Sequence, residues 1–227
     1  MSVNNIQHRF EQLIDSLSIK EGKKKYLRNQ VNYIKQRLKK VSKWTFDNPQ
    51  NSIQSMSNNI EVGRFWYGGL WDRGVHINKE FDIDIYIIYD KIENSKYDFD
   101  ENTLNGEILF TILFDDLDTI QEEVDPNLEI MEPPSYSHAI PIRLQYQSRI
   151  LKVDCIPAIE LPNQYLLVPD GWNYIKKVNQ KLEENGLSKV NKKRNGNATK
   201  IIWLLKYWNW YWNKPLKSYV IQRLEEE

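Results

Sequence analysis

Cysteine is almost absent from this chain: Cys155 is the single one in 227 residues. No intramolecular disulfide can form, which suits a reducing cytosol. Histidine is also scarce. His8, His76 and His138 have no metal-ligand spacing with one another or with Cys155, and they are read as non-ligands. There is no excess of either charge, with 31 Lys and Arg against 31 Asp and Glu. A protein that clamps a long duplex tends to be basic overall, so neutrality favours a small charged substrate while leaving room for a local basic patch. No long apolar run is present. The most apolar stretch, Ile201 to Trp212, is 12 residues long and contains Lys206, too short and too polar to span a bilayer. The N-terminus lacks the basic-then-apolar order of a signal peptide. A cytoplasmic protein with no membrane and no disulfide partner is expected.

The pattern that is present falls into three zones. Ile6, Phe10, Leu13, Ile14 and Leu17, then Leu27, Val31, Ile34 and Leu38, recur at helical spacing, with Gly22 as the separator or kink. The second of these helices is strongly basic across residues 20–40. A solvated face is its plainer reading, and a phosphate-binding surface for RNA or another activating ligand is the sharper one. From residue 60 the period shortens to two. Ile60–Tyr67, Asp82–Tyr89, Leu128–Met131, Ile140–Gln145 and Ile150–Pro157 read as strands, the last two joined through a turn at Gln147 and Ser148. A helix over 108–123 would bury Ile108, Leu109, Ile112, Leu113, Leu117 and Ile120 and leave Asp115, Asp116 and Asp118 on a solvated face. After Pro162, Pro169, Asp170 and Gly171 mark a connector, helices are expected over 171–185, 197–212 and from Leu216. The four tryptophans 203, 208, 210 and 212 are read as packing rather than base stacking.

Chemistry concentrates on Asp-Ile-Asp at 82–84. Alternation on a strand points Asp82 and Asp84 the same way, and two adjacent carboxylates call for a cation, naturally a hard divalent ion. Asp154, in Lys-Val-Asp-Cys-Ile-Pro, becomes a third ligand if its strand lies beside the first. Three carboxylates can hold two Mg2+ ions roughly 3.5–4 Å apart, the arrangement used for in-line displacement at phosphorus. Cys155 then faces the opposite side, into the core. Upstream, Gly68-Gly69 ends a strand and frees backbone N–H groups that can cradle phosphates.

This order, Tyr67-Gly68-Gly69, then residues 70–81, then Asp82-Ile83-Asp84 and a later Asp154, resembles the signature of the polymerase-β-like nucleotidyltransferases. Arg73-Gly74 and Glu80-Phe81 also look like that family's link between turn and strand. Gly69 stands where many members have serine. Lys206-Tyr207-Trp208-Asn209 with Pro215-Leu216-Lys217-Ser218-Tyr219 is similar to the helical lobe of the oligoadenylate-synthase and bacterial cGAS-like branch. The resemblance implies an α+β fold. Residues 1–160 would be a catalytic lobe of mixed sheet, flanking helices and a long N-terminal spine helix. Residues 161–227 would be an incomplete helical substrate-binding lobe.

It further implies Mg2+ or Mn2+ at Asp82, Asp84 and Asp154. Nucleoside triphosphates such as ATP or GTP would bind through Gly68, Gly69, Lys206, Ser218 and Tyr219. The products expected are cyclic or short oligonucleotide second messengers of antiviral defence. The alternatives are a template-independent RNA extender of the CCA-adding or poly(A) type, or an inactive scaffold that binds nucleotide or RNA.

Overall fold

A computed structural model describes residues 3–47, 60–68, 83–91, 104–123, 125–146, 149–161, 165–179, 188–213 and 215–216. They group into two compact units. One comprises 29–68 and 83–180, and the other 1–28, 69–82 and 181–227.

The first unit is built on a sheet that, among the described residues, has seven strands: β1 (Ile60–Gly68), β2 (Ile83–Lys91), β3 (Leu128–Ile130), β4 (Ile140–Tyr146), β5 (Arg149–Glu160), β6 (Leu166–Pro169) and β7 (Ile175–Val178). The order is β1-β2-β5-β4-β3, with β6 on β5 and β7 on β6. β2 and β5 pair in parallel while the other pairs are antiparallel, so the sheet is mixed. A parallel pair needs a long crossover. Here it contains β3, β4 and the helix α3 (Gly106–Glu123).

β2 carries Ile83, Ile85, Ile87, Ile88 and Tyr89 at 2% exposure or less. From Ile85 to Tyr89 the run is unbroken and apolar, the mark of a strand covered on both faces. One face holds Ile83, Ile85, Ile87 and Tyr89 and looks toward α3. The Tyr89 hydroxyl donates to the Asp116 carboxylate on that helix at 2.9 Å, and Leu104, Leu109 and Leu167 form a core beside it with Ile159 and Ile175. On the other face Ile88, Ile156, Ala158, Leu166 and Val168 make a second core flanked by Trp66 and Tyr86.

α3 buries Leu109, Ile112, Leu113, Leu117 and Ile120 as its periodicity predicts, and Phe110 and Asp116 as well. Asp116 corrects the expected solvated acidic face: its carboxyl lies inside, held by Tyr89, and burial pushes it up to about 7. The expected helix over 171–185 is also overturned, because Ile175–Val178 pairs with β6 as a strand. The four-residue run was too short for its period to tell helix from strand. Residues 180–185, the turn at 147–148 and the helix from Leu216 lie outside the described residues, apart from Leu216 itself.

The turn between β6 and β7 is tucked against the start of α3. The Glu107 N–H donates to the Trp172 carbonyl at 2.6 Å, and Trp172 stacks near Phe110 and Phe114. Gly106 permits this approach, since a Cβ there would collide with the Gly171 carbonyl. Gly171 itself has φ of 80°, a left-handed conformation that glycine adopts without penalty.

The N-terminal region forms two helices, α1 (Val3–Leu17) and the long α2 (Glu21–Asp47), as the two runs of helical spacing predict. The break falls at residues 18–20, not at Gly22, which sits in the first turn of α2. The Ser18 hydroxyl donates back to the Asp15 carbonyl, the kind of local bond that competes with helix continuation. α2 buries Val31, Ile34 and Leu38. In the second unit α1 packs against α4 (Asn197–Tyr211). The side of α4 formed by Ala198, Ile202, Lys206 and Asn209 is buried. Trp208, Trp210, Tyr211 and Trp212 are exposed, so the expectation that these tryptophans pack inside fails for three of the four.

Candidate active site

Register places three of the expected site residues in one row. On β1, Gly68 is the partner of Asp84 on β2. Asp84 is in turn the partner of Asp154 on β5. Aligned residues of neighbouring strands project to the same face, so the two carboxylates stand side by side. They lie on the face that carries Tyr86, Ile156 and Trp66 one row further in, and both are half-buried. The sheet thereby supplies what the sequence left conditional, a docking of the Asp154 strand directly beside the Asp84 strand.

Cys155 takes the opposite face, as alternation requires. It is fully buried, and burial first, then the neighbouring Asp154 charge, pushes its thiol far above the ordinary range. Cys155 belongs to the core and not to the site.

The donor set fits a hard divalent ion in kind. Carboxylate oxygens are the ligands that Mg2+ and Mn2+ prefer, and carboxylates directly opposite across a strand pair repel unless a cation lies between them. Part of that compensation is on the sheet already. Lys152 shares the face of Asp154, and its ammonium is 3.8 Å from the Asp154 carboxylate. Beyond it Arg143, the cross-strand partner of Lys152, pairs with Glu129 at 3.2 Å. Lys152 was not singled out from the sequence, although the alternation in Lys-Val-Asp marks it. Among the described residues no three His, Cys, Asp or Glu side chains converge as a metal-holding group. Asp82, the third carboxylate, lies outside them, as do Gly69, Ser218 and Tyr219.

Lys206 stands on α4 in the other unit, at 1% exposure. A lysine is rarely this buried, which sets it apart from a solvated helix residue. Of the histidines, His8 reaches Gln12 on its own helix, and His76 lies outside the described residues. His138 Nδ1 is 3.1 Å from the Pro169 carbonyl. A carbonyl only accepts, so Nδ1 carries the proton and Nε2 accepts from Lys176 at 3.0 Å. Burial first, then the Lys176 charge, lowers its pKa. It clips the approach to β4 onto the β6–β7 turn. On α2, the Lys35 and Lys39 ammonium groups sit 5.6 and 5.8 Å from the centre of the Phe65 ring on β1, and Lys24 pairs with Glu21.

No family model matches the chain, and no curated protein matches it in sequence. Solved structures do match in fold. CdnC of E. coli MS115-1, solved with ATP, superimposes with a TM-score of 0.60 at 16% identity, over 95% of this chain and 61% of that one. The Vibrio cholerae DncV cyclic AMP-GMP synthase, a prokaryotic cGAS homolog, gives 0.61 at 12% identity, over 87% of this chain and 64% of that one. A STING-associated CdnE c-di-GMP synthase from Capnocytophaga granulosa gives 0.53 at 16%, over 83% and 59%. The chain thus spans about three fifths of the length of each. It shares the fold of these solved structures.

Proposed function

We propose that this chain is a metal-dependent nucleotidyltransferase that joins nucleoside triphosphates with release of pyrophosphate. Its expected products are cyclic or short oligonucleotide second messengers used in antiviral defence in the cytoplasm. The observation that carries the reading is the row Gly68–Asp84–Asp154 across three neighbouring strands. It occurs on a fold shared with cyclic-dinucleotide synthases whose structures include ones solved with nucleotide.

In this reading Asp82, Asp84 and Asp154 hold two divalent ions, Mg2+ or Mn2+. Bound there, such ions would supply charge neutralisation at the α-phosphate and the departing pyrophosphate. Asp154 orients the attacking ribose hydroxyl and takes up its proton. The Gly68-Gly69 backbone donates N–H groups to phosphate oxygens, and Lys206 and Ser218 hold the leaving pyrophosphate. Tyr219 stacks on the base. The basic α2, whose Lys35 and Lys39 flank Phe65, is the surface proposed for RNA or another activating anion.

The deciding experiment incubates the protein with labelled nucleoside triphosphates and Mg2+ or Mn2+, with and without RNA. Cyclic or short linear products formed without an RNA primer support the synthase. Extension of RNA alone would move the protein to the CCA-adding or poly(A) type. Nucleotide or RNA bound with no pyrophosphate released under any condition would make it a scaffold and sink the enzyme reading.

A further inference from the structure

The carboxylate row has a cation of its own beside it. Val153 and Cys155 are fully buried on the core face of β5, so alternation sets Lys152 and Asp154 together on the other face. The Lys152 ammonium lies 3.8 Å from the Asp154 carboxylate, with the lysine side chain 48% exposed and the aspartate 29%. Asp84 stands next to Asp154 as its partner on β2.

The direction in which Lys152 leans is decided across the sheet. Its partner on β4 is Arg143, and two cations directly opposite each other repel. Arg143 is drawn the other way by Glu129, its own partner on β3. Its Nη1 donates to the two Glu129 carboxylate oxygens at 3.2 and 3.4 Å. With Arg143 engaged on that side, Lys152 turns onto Asp154, away from the like charge and toward the pair of acids.

One positive charge thus faces two negative ones. A divalent cation at the row would meet a weaker field than the carboxylates alone would give, and an ammonium in contact with one of its ligands. The hold of the lysine is loose. At 3.8 Å the contact is longer than a charge-assisted hydrogen bond of roughly 2.7–2.9 Å. The half-exposed four-carbon stem lets the charged head swing into water.

We propose that Lys152 is a displaceable counter-ion that holds down the affinity of the row for divalent cations. It offsets the repulsion between Asp84 and Asp154 before an ion binds, and it must be displaced when one does. It is a positioning residue, acting through the Asp154 carboxylate. This rests on the reading of Asp84 and Asp154 as ligands of divalent ions.

Mn2+ affinity of the full chain is measured by isothermal titration and by the spin-resonance signal of free Mn2+. Melting temperatures are taken with and without Mn2+. Lys152→Gln should bind Mn2+ about three- to fivefold more tightly than wild type. It should melt lower without Mn2+ and gain more in melting temperature when Mn2+ is added. Lys152→Arg keeps the charge and should match the wild-type affinity. When Asp154→Asn is combined with Lys152→Gln, the gain should be lost, because the ammonium then has no carboxylate to offset.

Unchanged or weaker Mn2+ binding in Lys152→Gln, whatever its melting temperature, would overturn the counter-ion role and leave an ordinary surface ion pair. An equal gain in the Asp154→Asn background, or in Lys152→Arg, would overturn it too. If neither wild type nor Lys152→Gln binds Mn2+, the divalent-ion reading of the row fails and this inference with it. A wild type that binds Mn2+ with no gain in the variant sinks the inference alone.

Discussion

Replacing Asp116 by asparagine should make the protein more stable above neutral pH and flatten the dependence of its stability on pH. Asp116 is 6% exposed on the inner side of α3. Its carboxyl is pushed from the ordinary 3.8 to about 7, chiefly by burial, while the bond from Tyr89 works in the opposite direction. A carboxyl whose pKa is raised in the folded state favours folding below its unfolded value, and loses that contribution as pH rises through the folded one. The window therefore runs from about pH 4 to about pH 7. At about 1.4 kcal/mol per pH unit the rise corresponds to roughly 4 kcal/mol. Asparagine has nearly the same shape and still offers an oxygen to the Tyr89 hydroxyl, but has no charge to bury. Urea unfolding of both proteins at pH 5, 6, 7 and 8 measures the difference. The two should differ by roughly 1–2 kcal/mol at pH 5, converging only toward pH 4, and by roughly 4 kcal/mol at pH 8. Equal pH slopes, or a variant less stable at pH 8, would refute the reasoning.

Three further outcomes follow from the packing and the site. Gly106→Ala should destabilise the fold by about 1–3 kcal/mol, since its methyl group would drive the β6–β7 turn off α3; chemical denaturation checks it. The Cys155 thiol, fully buried with its pKa raised, should resist a thiol reagent in the native protein and react at once in urea. Asp154→Asn should cost activity at least about a hundredfold, as loss of a transition-state group does, while raising or preserving the melting temperature, because it relieves the repulsion with Asp84.

Much of the fold was legible because period and length agree. The four long strands β1, β2, β4 and β5, the short β3, and the helix of Leu109, Leu113 and Leu117 follow from side-chain spacing. β6 and β7 were not legible: Leu166–Pro169 lies in a proline-marked stretch that reads as a connector, and the four residues of β7, two of them lysines, carry neither period clearly. Nor was the burial of Asp116: the acid lies between two other acids, and only the position of Tyr89 across the core reveals its partner. The carboxylate pair was legible as a possibility from alternation. Its realisation depended on which strand lies next to β2, a fact of topology that local spacing does not contain.

The parallel docking of β2 with β5 has a consequence in time. Asp84 is synthesised well before Asp154, and α3, β3 and β4 must emerge between them. No nascent or proteolysed fragment that ends before β5 can hold more than half of the carboxylate row. Assembly of the row therefore coincides with closure of the sheet's centre rather than with its start. A chain interrupted earlier lacks the Asp154 half of the row.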